Sequence, residues 1–180
     1  RGQTLRLPRR CVEEDSSVMV KSAALLLVSA VCFLAGCEST RLDQGEYARA
    51  RFFLESFAGS GQASVVTLPV SRIQVPVESQ AIVSEYDYLS VEAVDVDLGR
   101  CLAFTLKPAA AREFYQISVG DQGKRLVLVV EGQPLGVLLI GGPIADGRIF
   151  VFPELGDDRL MELARKLKET NIDIQRKLKR

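Results

Sequence analysis

Histidine and tryptophan are absent from this 180-residue chain, and methionine occurs twice. Without histidine there is no Ser-His-Asp or Cys-His arrangement and no imidazole metal ligand. Ser-Lys catalysis would need a Ser-x-x-Lys spacing, and none follows Cys37. Gly123-Lys124-Arg125 hints at a phosphate loop but lacks its parts. Arg125 stands where Ser or Thr is needed, no glycine sits five residues before Gly123, and the segment runs from helix to strand. The acidic group Glu85, Asp87, Glu92, Asp95 and Asp97 lacks the alternating spacing of a calcium loop. It reads first as a solvated strand face, with Ca²⁺ ligation the alternative. Charge of one sign is also missing, since 23 Lys/Arg balance 23 Asp/Glu. The apolar run from Ala23 to Gly36 is 14 residues, whereas a membrane-spanning helix wants about 20.

That short run is nevertheless the most informative stretch. Met19 to Cys37 reads MVKSAALLLVSAVCFLAGC: one cation at Lys21, an apolar core, then small residues. This is the order of a secretory signal peptide. Leu34-Ala35-Gly36-Cys37 resembles the lipobox of bacterial lipoproteins. The resemblance implies cleavage between Gly36 and Cys37 and a diacylglycerol on the Cys37 thiol. A transmembrane anchor and a buried core helix are the competing readings; the length argues against the first and the order of parts against the second. Residue 38 is Glu rather than Asp, which in Gram-negative lipoproteins leans towards the outer membrane, facing the periplasm, over the inner membrane. Residues 1–18 show no apolar periodicity and read as an upstream extension. The expected organisation is 1–18 extension, 19–36 signal peptide, 37–49 tether and 50–180 a folded envelope domain.

Cleavage before Cys37 leaves 144 residues, enough for one domain with a real core. Of the charged residues, five basic and three acidic precede Cys37, so the mature part holds 18 basic and 20 acidic, net −2. That charge does not suit nucleic acid. Cys11 and Cys32 precede the cleavage point and Cys37 carries lipid, so Cys101 stands alone and no intrachain disulfide forms. Its apolar neighbours mark Cys101 as a small buried hydrophobe rather than a reactive thiol.

Patterning along the domain predicts strands at 50–56, 65–68 and 72–77, with Pro69 and Pro76 confining the latter two to a sheet edge or irregular chain. Leu89–Val96 and Cys101–Leu106 form a hairpin, with a bulge or change of face implied by Val94 and Val96. Pro108 opens a helix over 108–118 whose apolar side includes Ala110, Phe114 and Ile117. Arg125–Glu131 is a continuous apolar run, hence a central strand dry on both faces. Gly132-Gln133 fits a type II′ turn into a strand over 134–140, and 148–152 is the last strand. A final helix over 157–169 carries the stripe Leu160, Leu163, Ala164, Leu167, with Asn171 interrupting it. Arg176, Lys177, Lys179 and Arg180 read first as a solvated helix terminus; contact with anionic lipid or envelope polymer is the alternative. The fold class is α+β: a single antiparallel-sheet domain with two main helices on one face. Because helices cover one face only, the segment Val65–Val83 is expected to pack across the other, closing a monomer; the alternative is that it runs along an edge and leaves an apolar patch open for a partner.

The order strand, helix, strand, hairpin, strand, helix from Arg100 to Thr170, with Phe114, Gly123, Lys124, Val130, Gly132, Gly147 and Ile149 at its turns and core, resembles the small periplasmic subdomain of the protein-translocase subunit SecD. The resemblance implies an α+β sandwich. Translocation in that family depends on six membrane helices and their charged residues, none of which appear in this sequence, so it does not imply a motor. The reading that asks least of the sequence is a lipid-anchored, non-catalytic interaction or structural module of the cell envelope. An accessory factor of protein export and a carboxylate-based hydrolase are the alternatives. No cofactor or metal is expected; the expected partners are the membrane, through the lipid on Cys37, and an envelope protein.

Overall fold

The computed structural model describes residues 47–57 and 63–179; the lipobox, Gly36 and Cys37 lie outside them. Two helices and two antiparallel sheets give the α+β class expected from the sequence. The larger sheet contains β1 (Ala50–Glu55), β2 (Ser64–Thr67), β3 (Gln74–Val83), β6 (Arg125–Val130) and β7 (Gln133–Leu139), in the order β2-β3-β1-β6-β7. The smaller holds β4 (Tyr88–Val96), β5 (Gly99–Leu106) and β8 (Arg148–Val151), in the order β4-β5-β8. Helix α1 spans Pro108–Gly120 and helix α2 spans Asp157–Leu178. The antiparallel strands are therefore split between two sheets, stitched by an isolated bridge between Gly136 of β7 and Pro153. Glycine at 136 permits that approach: a Cβ there would lie 2.8 Å from the Phe152 carbonyl oxygen.

The main core lies between the sheets and helices. Strand alternation sends Ala50, Phe52 and Leu54 of β1 and Leu126, Leu128 and Val130 of β6 inward, where they meet Val91, Leu102, Phe104, Leu106, Ile149 and Val151 of the smaller sheet. Phe104 sits edge-to-face with Phe52 at 4.9 Å and with Tyr88 at 5.4 Å. Such ring pairs add about 0.5–1.5 kcal/mol beyond their buried area. Helix α1 contributes Phe114, and α2 contributes Leu160, Ala164 and Leu167, so both helices seal the same core.

Strand β6 is flanked by β1 and β7 and its middle residues Leu126, Val127 and Leu128 are fully buried, as its unbroken apolar run requires. Several local features differ from expectation. Val130 pairs with Gln133, so the turn residues are Glu131 and Gly132, with φ of 48° and 80°. Two positive φ values make a type I′ turn rather than II′, one residue earlier than the sequence suggested. Strand β3 runs through Pro76 as an internal strand between β2 and β1. The Pro76 carbonyl accepts from the Ser56 amide at 2.8 Å, one residue past the end of β1, so the missing N–H falls where the β1–β3 ladder ends. The register shift in the β4–β5 hairpin lies between Tyr88 and Ser90 and leaves Leu89 exposed. Asn171 does not break α2. Its side chain is buried and its Nδ2 donates to the Tyr88 carbonyl at 3.0 Å, tying the continuing helix to the start of β4.

The segment Val65–Val83 does not cross the second face of the larger sheet. It extends that sheet at its edge as β2 and β3. The reason is the ladder itself: pairing β3 with both β1 and β2 satisfies backbone groups that a covering loop would leave without partners.

Candidate functional site

Among the described residues no helix packs on the outer face of the larger sheet, and that face is the candidate site. Arg51, Phe53 and Glu55 alternate outward from β1, away from the main core. Opposite them on β6 stand Val129 and Val127, paired with Arg51 and Phe53 respectively. A second apolar cluster forms there, with Val75, Val77 and Val127 buried and Phe53, Val66, Val129 and Val137 partly open around them. Among the described residues, no helix contributes to this cluster. A cavity of about 250 Å³ sits at its end, lined by Arg49, Arg51, Phe53, Val129, Glu131 and Gly132.

Each arginine on this face has a carboxylate partner. Arg51 grips Glu85 bidentately, Nε to Oε2 and Nη2 to Oε1, both at 2.7 Å. Glu85 is 2% exposed while Arg51 remains 47% exposed. The Arg51 hydrogen bonds hold the Glu85 carboxyl below its usual range, against the opposing effect of burial. Glu55 accepts from the Arg125 amide at 2.9 Å and from its Nε at 3.0 Å, with a further contact from Nη2, and its carboxyl is likewise pushed down by Arg125. Glu131, in the β6–β7 turn, accepts from the Arg49 amide at 2.7 Å. The result is a charge-neutral apolar surface with a paired ionic rim. It suits an apolar protein segment better than an anion. Both carboxylates are held ionised, which leaves no proton to donate at neutral pH.

The acidic residues singled out in the sequence do not converge. Glu85 pairs with Arg51, Asp87 bonds Ser84 across its own turn, and Asp95 bonds Arg100 at 2.8 Å. Glu92 and Asp97 are exposed. Among the described residues no group of three or more Cys, Asp or Glu could hold a metal ion. Cys101 is buried, and burial pushes its thiol up, in keeping with a packing role. Arg51 and Glu85 were invisible as a pair because 34 residues separate them; the outward alternation of Arg51 and Phe53 in ARFFLE was the available signal.

The residues that carried the family resemblance occupy scaffold positions. Phe114 and Ile149 are in the main core, Gly132 is in the β6–β7 turn, and Gly123 precedes β6, its amide donating to the Ile140 carbonyl at 2.8 Å. Lys124 pairs with Asp121 at 2.7 Å. Gly147 has φ of 66° and abuts Ala111 of α1.

This arrangement defines an α+β domain whose larger sheet carries a second apolar cluster with a paired ionic rim on its outer face. No family model matches the sequence, and no curated protein matches it. Solved structures do share the fold. One is SecDF in its super-membrane-facing form, with TM-score 0.53 and 17% identity over 71% of this chain and 19% of that one. Another is SecDF described as a membrane component that enhances protein export, with TM-score 0.53 and 17% identity over 95% of this chain and 75% of that one. The chain thus spans about a fifth of the length of the first. At this identity the likeness is one of fold, and it agrees with the weak SecD resemblance noted in the sequence.

Proposed function

We propose that this chain is a lipid-anchored protein of the bacterial cell envelope that acts as a non-catalytic interaction module, holding an apolar segment of an envelope protein on the outer face of its larger sheet. The observation that carries this reading is the apolar cluster of Phe53, Val66, Val129 and Val137, rimmed by already paired arginines. These four residues are partly exposed, and apolar surface framed by polar groups is the usual mark of a partner site. The lipobox supports attachment through Cys37, and Glu38 supports the outer membrane. Carboxylates held ionised by arginine support a binding role over a hydrolytic one. A second reading, an accessory role in protein export, is favoured by the fold shared with SecDF.

The test is site-specific photocrosslinking in cells, with the reactive group at Val129 or Val137 and, for comparison, at exposed Glu113 on α1. A discrete adduct from the two sheet positions and none from Glu113 is the expected result. An adduct that proves to be a translocon subunit selects the export reading. Identical adducts from all three positions, or none from the sheet, contradict the proposal.

A further inference from the structure

We infer that the outer face of α2 lies on an anionic membrane surface, with Lys168, Arg176 and Lys179 against phospholipid headgroups and Ile172 among them. Met161, Arg165, Lys168, Ile172, Arg176 and Lys179 follow at intervals of three or four residues, which puts them on one stripe of the helix. That stripe flanks the buried Leu160, Ala164 and Leu167, and all six positions are exposed. Met161 is 51% and Ile172 41% exposed.

The charge is complementary to such a surface. Ile174 to Lys179 carries three cations and no acid. Arg165 is engaged by Glu169 at 2.7 Å, and Arg176 stands 3.6 Å from Asp173. Lys168 and Lys179 have no carboxylate within ion-pair distance among the described residues, so their charge remains available. Basic residues on a partly apolar helix face are what binds the interfacial region of anionic bilayers.

The fold also puts this end of α2 beside the chain's entry into the domain. The Lys177 ammonium lies 5.1 Å from the Tyr47 ring centre, and the Ala48 amide donates to Thr170 Oγ1 at 2.9 Å. Cys37 precedes Tyr47 by ten residues, a reach of at most roughly 35 Å. Here the inference rests on the reading of Cys37 as the lipid-bearing residue: a tether anchored in the bilayer delivers the basic end of α2 to the headgroups and leaves the open sheet face for a partner.

The test uses the full chain purified from envelopes and added to vesicles of phosphatidylcholine alone or of phosphatidylcholine mixed equally with phosphatidylglycerol. Flotation is read first, then the rate at which a membrane-impermeant amine reagent labels Lys168, Lys179 and the reference Lys107. The expected result is flotation with both vesicles, with labelling of Lys168 and Lys179 slowed roughly fivefold on the anionic ones and restored by high salt. Flotation with both and equal labelling overturns the inference and leaves the anchor standing. Flotation and slowed labelling with anionic vesicles only supports the inference and overturns the anchor. No flotation with either overturns both.

Discussion

Replacing Arg51 by Ala strands a buried carboxylate, and the consequences can be worked from the geometry. Glu85 is 2% exposed and both its oxygens bond the Arg51 guanidinium at 2.7 Å. Removing one partner of a fully buried pair costs about 3–5 kcal/mol. Arg51 is 47% exposed, so water screens part of the attraction and a loss of about 2 kcal/mol is the discounted expectation. The pH dependence fixes the sign. In the native chain the Glu85 carboxyl is depressed, chiefly by Arg51. It therefore adds stability above the ordinary carboxylate range, and this is lost as pH falls through the depressed value. In Arg51→Ala burial, which raises the carboxyl, becomes the largest effect, opposed by the smaller ones of a backbone hydrogen bond and the Arg49 charge, so Glu85 is destabilising near neutrality and that penalty fades as it protonates. The gap between native and variant should shrink from pH 7 towards pH 4, as measured by urea unfolding. A second variant, Arg51→Leu with Glu85→Leu, should recover most of the loss. A gap under about 0.5 kcal/mol, or one that does not change with pH, would refute the reasoning.

Three further outcomes follow from single contacts. Thr170→Val removes the acceptor of the buried Ala48 amide and should cost about 1–3 kcal/mol in thermal or chemical unfolding. Gly136→Ala places a methyl 2.8 Å from the Phe152 carbonyl oxygen and 3.2 Å from Pro153 Cα; forcing the sheets apart there should cost about 1–3 kcal/mol, whereas Gly141→Ala, with nothing near its Cβ, should stay within about 0.5 kcal/mol. Cys101, buried and with its thiol pushed up, should resist a thiol reagent in the folded chain and react at once in denaturant.

What the sequence made legible was local. The run RLVLVV announced β6, Pro108 announced α1, and the stripe Leu160, Leu163, Ala164, Leu167 announced α2. Each signal is a periodicity or a turn residue within one element. The site depends on pairings that no such window contains. Phe53 meets Val127 only because β1 joins β6 across 74 residues, and Arg51 meets Glu85 across two intervening strands, β2 and β3. Pro76 argued against an internal strand, yet its missing donor falls opposite Ser56, just past the end of β1, a compensation visible only once the partner strand is known. Asn171 looked like a helix breaker because a short amide competes with the backbone; here it bonds the backbone of β4 instead. The open sheet face was foreseen as one of two outcomes, and the balance turned on whether β2 and β3 paired or covered, a question of backbone satisfaction that composition does not settle.

The claim on which the rest depends is that Cys37 carries lipid. Cells grown with a labelled fatty acid and expressing the full chain, beside a Cys37→Ser variant, test it directly. The account predicts label on the native chain, at the size expected after loss of residues 1–36, and none on the variant. Label that persists on Cys37→Ser, or a native chain that takes up none, would contradict it.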